Sequence, residues 1–488
     1  MKGLASQNPS VQSLWVALGV LSLNVCLKVL HLGSQYIALD EPFTLFWSQQ
    51  SVSDIWELAK NENNPPLHFL IEHFWIKLFG IGPVSVRFPS LIFSSLTAAI
   101  MFLVTNRRFG WVSGVGASLI FTLSTEQIYH SHEARTYSLL GLLTVLSIGS
   151  LLRVLEEPKR VQGYVFLGIW NVLLAYSHFL GMWMLIAEGL VILVSSQRRL
   201  LIPRMVLMYL GVGLAYAPNL IAFLLRLQSV AAKPTWVPKP HWTQIYGHVN
   251  IYWNGAWATL AFIGISALGL AWAIFRRKQT PDSPWKSPQG FIWVVLAIVF
   301  STIYFGIYLQ SLFFTPAFIP RYLVWVSVPF FLVIAGWIAL LFQDRRLQIG
   351  AFAAIALAML PGFTLNPSND RAVGPMVSYA EQARSANSIL VIAPDYFDKT
   401  YLYHADLEAF QDPAHWDANK KSRGIYAVNG FNALPPQVLD SAAQVVFVDA
   451  DAKFVYPENG ILDGLKQRFK LQQSQHFEKG MDVFVLGK

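Results

Sequence analysis

Long apolar runs recur along the first three quarters of the chain and predict its architecture. Each run is close to the roughly 20 residues with which a helix crosses a hydrocarbon core about 30 Å thick. The apolar stretch 162–197 is too long for one crossing, so we divide it at the polar pair Ser177-His178. The pattern therefore predicts eleven membrane-spanning helices. They lie at 11–33, 84–104, 111–126, 136–155, 162–177, 180–197, 204–225, 257–275, 290–310, 321–343 and 347–365.

The composition excludes a wholly soluble protein. Of the 488 residues, 54% are hydrophobic and only 13% are charged, whereas a soluble domain has about 25% charged residues. Too few polar side chains remain to cover a soluble globule of this size. We therefore predict a mainly α fold, a polytopic membrane helix bundle. Its first span is expected to be retained, because no small-residue cleavage site follows it.

Basic residues cluster in the loops on one predicted side of the membrane. Cytoplasmic loops attract Lys and Arg, so we assign this side to the cytoplasm. The odd number of spans then puts the N-terminus inside and residues 367–488 outside. These loops account for the net charge of +8, and we predict no nucleic-acid partner. The clusters are Arg107-Arg108, Lys159-Arg160, Arg198-Arg199-Arg204, Arg276-Arg277-Lys278 and Arg345-Arg346.

Three large segments lie on the opposite side of the membrane. They are the outer loops 35–84 and 226–256 and the C-terminal tail 367–488. In the first loop, the apolar run Leu67–Phe79 is too short to cross the membrane and suits an interfacial helix. The sequence thus predicts a transmembrane domain at 1–366 and a separate domain in the tail.

The C-terminal tail 367–488 has a different pattern from the rest of the chain. Short β-type apolar runs alternate with helical patterns around 375–386 and 461–471. Such alternation is typical of a small α/β domain. The β-type runs are Ser388–Pro394, Gln444–Val448 and Asp482–Leu486.

Three arginines do not follow the clustering of basic residues on the cytoplasmic side. Arg87, Arg135 and Arg321 lie instead at the outer ends of predicted spans. The planar guanidinium presents a fork of donors that suits phosphate oxygens. Three such groups that converge at the outer surface would suit a lipid-linked phosphate. Alternatively, each side chain reaches the lipid headgroups or pairs with an outer carboxylate such as Glu133.

The adjacent carboxylates Asp40 and Glu41 follow the first span on the outer side. Carboxylates at a membrane boundary are costly to desolvate unless they have a partner or a function. An aspartate there can deprotonate an acceptor hydroxyl as a general base, with Glu41 as an orienting or arginine-pairing neighbour. The alternative is a helix cap or a solvated interfacial pair.

Two histidines are further candidates on the outer side. The segment 63–66 (Asn-Asn-Pro-Pro) is typical of a turn before a helix, and it would place His68 at the outer surface. His178 lies at the outward hairpin between the fifth and sixth predicted spans, where it could hydrogen-bond a sugar or a phosphate. The competing interpretations are an ordinary turn in the first case and a satisfied buried histidine in the second.

A metal site is a weaker hypothesis. His130, His132 and Glu133 could form one together with Asp40, since imidazole and carboxylate are good ligands. Their spacing matches no specific metal signature, so a divalent metal stays open and no metal ligand is assigned.

The motifs in this order resemble the bacterial branch of the protein O-mannosyltransferase and aminoarabinose-transferase families, within the C-type membrane glycosyltransferases. The resemblance covers about residues 30–340. One departure is His132, where many relatives have glutamine before Glu-Ala-Arg. The matching motifs are Asp40-Glu41, Asn63-Asn64-Pro65-Pro66-Leu67, Arg87-Phe88-Pro89-Ser90, Glu133-Ala134-Arg135-Thr136-Tyr137, Tyr176-Ser177-His178-Phe179 and Pro320-Arg321-Tyr322.

The resemblance implies an inverting transfer of one sugar from a polyprenyl-phosphate-linked donor to a protein, lipid or glycan acceptor. The reaction would take place on the outer face of the bacterial cytoplasmic (inner) membrane, with the C-terminal domain extracytoplasmic. By resemblance, Asp40 is the catalytic base and Glu41 its companion. The residues expected at the donor phosphate are Arg87, Arg135, Arg321 and Tyr322.

By the same resemblance, Glu133 and Tyr137 belong to the outer polar shell of the active-site cavity. His68 and His178 are further supporting candidates because of their positions on the outer side.

A flippase or transporter for polyprenyl-linked sugars is the alternative function. It predicts charges deep within several spans and interrupted helices in matching halves. The charges instead collect at one face, with Glu188 the main exception, which we expect to pair within the bundle. A receptor built around the outer tail is a third hypothesis.

Overall fold

The computed structural model describes most of the chain. Asn63, residues 233–236 of the outer loop 226–256, and Lys278 of the fourth basic cluster lie outside the described part. The described residues are 10–61, 64–232, 237–277, 287–478 and 480–488.

Helices dominate the structure, as predicted. In chain order they are α1 (Val11–Val29), α2 (Glu41–Ser48), α3 (Val52–Asn61), α4 (Leu67–Phe79), α5 (Pro83–Phe109), α6 (Trp111–Thr122), α7 (Thr125–Ser131), α8 (Tyr137–Glu156), α9 (Val161–Ser177), α10 (Met182–Val194), α11 (Arg198–Ala232), α12 (Thr243–Tyr252), α13 (Ala256–Arg277), α14 (Pro288–Phe313), α15 (Pro320–Leu323), α16 (Ser327–Leu341), α17 (Arg345–Met359), α18 (Val373–Ala383), α19 (Asp398–Ala405), α20 (Leu407–Phe410), α21 (Trp416–Ser422), α22 (Pro436–Ser441), α23 (Ala452–Val455) and α24 (Ile461–Lys466).

A helix occupies each of the eleven predicted spans. Among the described residues, seven stretches are long and apolar enough to cross a membrane: Val11–Val29, Pro83–Phe109, Tyr137–Glu156, Arg198–Leu225, Ala256–Ile274, Pro288–Phe313 and Pro320–Leu341. Shorter apolar helices occupy Trp111–Thr122, Val161–Ser177 and Phe179–Val194, and α17 occupies the last predicted span. The prediction of a polytopic, mainly α membrane protein is confirmed.

The chain forms two compact units. The first comprises residues 1–32, 56–71 and 87–367, and the second comprises 33–55, 72–86 and 368–488. Each unit therefore combines segments that are far apart in the sequence.

In the first unit, α9 packs between α8 and α11, α14 packs between α10 and α16, and α6 contacts α16 and α17. The Glu188 carboxylate is buried there, where it accepts hydrogen bonds from Ser147 Oγ (2.6 Å) and Asn171 Nδ2 (2.7 Å). The expected pairing of this carboxylate within the bundle is confirmed. The bonds satisfy a group that would otherwise be costly to hold in an apolar interior.

The second unit contains a five-stranded sheet in the order β2-β1-β3-β5-β4. β1 pairs in parallel with β2 and β3, while β5 pairs antiparallel with β3 and β4. The three predicted strands are present, and the α/β prediction for the tail is confirmed. The strands are β1 (Ser388–Ala393), β2 (Ile425–Ala427), β3 (Gln444–Ala450), β4 (Lys470–Phe477) and β5 (Met481–Gly487).

In the second unit, α2 is held by helices of the C-terminal segment. The Phe46 ring lies 4.6 Å from the Trp416 ring and 6.2 Å from the Phe410 ring, between centroids. The ammonium group of Lys399 lies 5.1 Å from the centroid of the Phe46 ring. Just before α2, the Ile37 carbonyl accepts a hydrogen bond from His404 Nε2 (2.8 Å). The segment that carries Asp40 and Glu41 is thus anchored on the C-terminal helices.

We expect Phe46→Ala to loosen this anchor. Phe46 is buried, and truncating a buried phenylalanine costs roughly 3–5 kcal/mol in stability. A lower melting temperature of the purified protein, measured by differential scanning fluorimetry, is the expected result. Phe454→Ala is the matched control, because the Phe454 side chain is 62% exposed. Equal melting temperatures for the two variants would contradict the anchoring role.

Candidate active site

Asp40 directly precedes α2, at its N-cap position. Its backbone carbonyl accepts hydrogen bonds from Thr44 N (3.1 Å) and Thr44 Oγ1 (3.2 Å), and Pro42 suits the first turn of the helix. Its carboxylate makes no capping hydrogen bond and is partly exposed. The capping interpretation is therefore wrong.

The carboxyl group of Glu72 interacts with that of Glu41. Both Glu41 and Glu72 are buried, and the two side chains interact electrostatically within the second unit. Burial raises the pKa of Glu72 well above its ordinary value, and the charge of Glu41 raises it further. Burial and a neighbouring like charge both favour the neutral form of the Glu72 carboxyl group.

Tyr396 is a further neighbour of Asp40 that sequence reasoning missed. Burial raises the pKa of Tyr396 to about 12, with added contributions from Tyr456 and Asp40. The turn that carries Tyr396 follows β1, and the amide of Asp395 donates to Asn429 Oδ1 (2.9 Å). Its place at the carboxyl end of a predicted strand, where α/β folds bind ligands, is the signal that could have found it.

In the first unit, the structure brings five of the predicted residues together. The Arg135 guanidinium lies 5.9 Å from the Tyr137 ring, and the Arg321 guanidinium lies 5.4 Å from the Tyr322 ring. The centroid of the His178 ring lies 5.5 Å from the centroid of the Tyr322 ring and 6.5 Å from that of the Tyr137 ring. We call Arg135, Tyr137, His178, Arg321 and Tyr322 the arginine–aromatic cluster.

Separate elements contribute to the arginine–aromatic cluster. Arg135 lies in the turn after α7, and its backbone carbonyl accepts a hydrogen bond from Ser90 Oγ (3.2 Å) in α5. Thr136 Oγ1 donates to the Ser177 carbonyl (3.1 Å) at the end of α9, which holds the turn close to His178. Arg321 follows the proline that begins α15. Since these elements are distant in sequence, only the tertiary fold assembles the cluster.

The charge of the cluster comes from its arginines alone. Burial, together with the charges of Arg135 and Arg321, lowers the pKa of His178 to about 3. Burial likewise lowers the pKa of His68 to about 3, with Arg135 again contributing. The two imidazoles are therefore neutral at physiological pH, beside two guanidinium groups. This arrangement favours an anionic ligand such as a phosphate.

Arg87 interacts electrostatically with His132. The buried Arg87 donates from Nη1 to the Leu32 carbonyl (3.1 Å), and His132 Nε2 donates to the Lys28 carbonyl (2.7 Å). Burial lowers the pKa of His132 to about 4, and the charges of Arg87 and Lys28 add to this effect. The histidine that departs from the usual motif thus links the end of α1 to the turn after α7.

His130, a candidate metal ligand, contacts two carboxylates. Its Nδ1 lies 2.8 Å from Glu133 Oε2, and its Nε2 lies 3.2 Å from Glu126 Oε1. Burial opposes protonation of His130, but the two carboxylates outweigh it and raise its pKa to about 9. Both ring nitrogens then carry protons, so a metal would have to displace a proton before either could bind it. Within the described part of the chain, no group of three or more His, Cys, Asp or Glu side chains could hold one.

This ion pair predicts a pH-dependent stability. The folded pKa of His130, about 9, lies above the unfolded value of 6.5. Its contribution, at most about 3 kcal/mol, is therefore complete below pH 6.5 and is lost as the pH rises through 9. Melting temperatures of wild type and His130→Gln should converge between pH 6.5 and 9.5. His415→Gln is the control, because His415 is exposed, and a constant difference for His130→Gln would contradict the assignment.

Comparisons with known proteins bear on the family resemblance and the fold. The family described as dolichyl-phosphate-mannose-protein mannosyltransferase matches residues 63–222. No curated protein sequence matches the chain. Among solved structures, ArnT from Cupriavidus metallidurans in the apo state is similar, with a TM-score of 0.58 and 13% identity over 98% of both chains.

Two other solved structures match the chain. ArnT from the same organism bound to undecaprenyl phosphate has a TM-score of 0.55 and 13% identity over 97% of both chains. The Archaeoglobus fulgidus oligosaccharyltransferase in complex with zinc and sulfate has a TM-score of 0.47 and 12% identity, over 88% of this chain and 68% of that one. The matched family segment and the ArnT-like fold confirm the resemblance inferred from the motifs.

Proposed function

We propose that the chain, which matches the protein-mannosyltransferase family over residues 63–222 and has an ArnT-like fold, transfers a sugar from a polyprenyl-phosphate donor to an acceptor. The transfer inverts the anomeric centre and takes place on the outer face of a bacterial cytoplasmic membrane. The acceptor is a protein, a lipid or a glycan. In this topology, residues 367–488 are extracytoplasmic.

The arginine–aromatic cluster carries the proposal. Two guanidinium groups, each beside an aromatic ring, lie near a buried and neutral imidazole in the first unit. Preorganised cations of this kind stabilise the charge that develops on a departing phosphate. A solved structure of the same fold is of ArnT bound to undecaprenyl phosphate, which supports a polyprenyl phosphate as the leaving group.

In the proposed reaction, the Asp40 carboxylate accepts the proton of the acceptor hydroxyl as general base. The acceptor oxygen forms a bond to the anomeric carbon of the donor sugar. The bond from that carbon to the phosphate oxygen breaks on the opposite face, and the electron pair leaves with the polyprenyl phosphate. Arg135, Arg321 and Tyr322 stabilise the departing phosphate, and Glu41 supports Asp40 from its buried position beside Glu72.

Product analysis tests this function. Purified protein would be incubated with polyprenyl-phosphate-linked hexoses and pentoses together with host membrane extract, and products identified by mass spectrometry. We expect one donor to yield a glycosylated product whose anomeric configuration, determined by NMR, is opposite to that of the donor. A retained configuration would contradict the inverting mechanism.

The same preparation separates the transferase from a flippase. In proteoliposomes, a flippase moves the intact donor between leaflets and forms no new glycosidic bond. Donor translocation without product, in the presence of the complete extract, would therefore favour the transport function. Product formation in detergent, where no leaflets exist, would exclude transport as the sole activity.

A further inference from the structure

The second unit contains a polar cavity of about 700 Å³ at the carboxyl ends of its parallel strands. One wall is the loop 429–432, which follows β2, and another is the segment 455–460, which follows β3 and α23. Residues of α24 complete it. Open α/β sheets bind ligands in this position, and the volume lies within the usual range of about 300–1,000 Å³ for ligand pockets.

The walls of this cavity are tied together by hydrogen bonds. The Phe431 amide donates to the Asn459 carbonyl (3.0 Å). The buried Asn459 side chain donates to the Tyr456 carbonyl (2.9 Å) and accepts from the Ile461 amide (3.1 Å). The cavity is therefore formed before any ligand binds, which reduces the entropy lost on binding.

The polar side chains that line the cavity are available to a ligand. Asn432, Glu458, Asp463 and Gln467 are exposed, and they form no side-chain hydrogen bond or ion pair with any other residue that the structure describes. Amides both donate and accept hydrogen bonds, and carboxylates accept them. Together they can satisfy several neighbouring hydroxyl groups on one ligand.

The charge of the lining excludes an anionic ligand. Its described residues include Glu458 and Asp463 but no Lys, Arg or His. A phosphate or a uronic acid would meet repulsion there, whereas the hydroxyls of an uncharged sugar would not. The rings of Phe431 and Tyr456, which also line the cavity, offer apolar surfaces for the faces of sugar rings.

The cavity is linked to the candidate base. Asn429 of its lining accepts a hydrogen bond from the Asp395 amide (2.9 Å), in the turn that carries Tyr396. Tyr396 interacts electrostatically both with Tyr456 of the lining and with Asp40. The cavity and Asp40 therefore have Tyr396 as a common neighbour within one compact unit.

We propose that this cavity binds an uncharged saccharide portion of the acceptor and presents that acceptor to Asp40. The inference rests on the proposed function, which supplies Asp40 as the base. It narrows the acceptor from a protein, lipid or glycan to a molecule that already carries a neutral sugar chain.

Binding to the purified full-length protein tests this inference, in a detergent without a sugar headgroup. Maltotetraose and chitotetraose are the neutral probes, and tetragalacturonate is an acidic probe of the same length. Isothermal titration calorimetry should show saturable binding of at least one neutral probe and at least tenfold weaker binding of tetragalacturonate. Absence of binding by both neutral probes, or equally tight binding of the acidic one, would overturn the inference.

Variants locate the binding in the cavity. The double variant Asn432→Ala/Gln467→Ala should weaken binding of the neutral probe at least tenfold. Gln437→Ala, which changes an exposed glutamine in α22 outside the cavity, should leave it unchanged. Equal binding by the double variant and wild type would place the saccharide elsewhere and overturn the proposal.

This test is independent of the transfer reaction. Asp40→Asn should retain saccharide binding, because Asp40 does not line the cavity. Saccharide binding without product formation from any donor would count against the proposed function and leave the cavity assignment intact. Product formation without saccharide binding would support the proposed function and overturn the cavity assignment.

Discussion

Asp40→Asn is expected to abolish most of the transfer activity. Asparagine keeps the shape of the side chain but cannot accept the proton of the acceptor hydroxyl. General-base catalysis contributes typically 10²–10⁴-fold, so we expect kcat to fall by about that factor. Donor KM should change little, because the proposed donor site is formed by other residues. Initial rates at several donor concentrations separate the two effects.

The matched control for this variant is Asp54→Asn. Asp54 lies in the same outer segment and is exposed. Its carboxylate accepts a hydrogen bond from Ser51 Oγ (2.6 Å), and the change removes one carboxylate charge, as Asp40→Asn does. Its kcat should equal that of wild type. Equal kcat for Asp40→Asn and wild type would remove Asp40 as the base and direct attention to Glu41 and Glu133.

The fold could be predicted wherever the apolar pattern is strong. The break at Ser177-His178 is correct: α9 ends at Ser177, and His178 is extended before a 3₁₀ turn begins at Phe179. Strand β4 was missed because most of its side chains are polar and all but the last are exposed. An edge strand of this kind is stabilised by its pairing with β5, which the local sequence does not record.

The candidate site could be predicted only in part. Motifs identified Arg135, His178 and Arg321 individually and placed them on one side of the membrane. The resemblance implied that Arg135 and Arg321 meet at one phosphate, but the local sequence gives no contact between residues so far apart in the chain. Tyr396 was missed although its position after a predicted strand was visible in the sequence.

The metal hypothesis overlooked a contact within one helix. His130 and Glu133 are close, as their separation of three residues predicts for a helical turn. Glu126 lies four residues before His130 in α7, a spacing at which helical side chains also meet, and it contacts the second ring nitrogen of His130 (3.2 Å). This second contact converts a potential ligand into part of an ion pair.

The arginine–aromatic cluster carries the second large prediction. Arg135→Gln and Arg321→Gln each remove one positive charge, and we expect kcat/KM for the polyprenyl-phosphate donor to fall by about 10²–10³-fold in either variant. Arg160→Gln is the control, since Arg160 is largely exposed and pairs with Glu157 at the surface (3.0 Å). That surface pair contributes little to stability, so Arg160→Gln should behave like wild type.

A double-mutant cycle shows whether Arg135 and Arg321 act on the same phosphate. Both lie close enough to His178 to lower its pKa. If they stabilise one departing phosphate, the fold-decrease in kcat/KM of the double variant should be smaller than the product of the two single-variant fold-decreases. The reason is that either change alone already disrupts the shared site. Strictly multiplicative losses would instead indicate independent roles.

Compared with Arg321→Gln, Arg321→Lys should recover only part of the activity, since lysine keeps the charge but loses the planar fork and its packing on Tyr322.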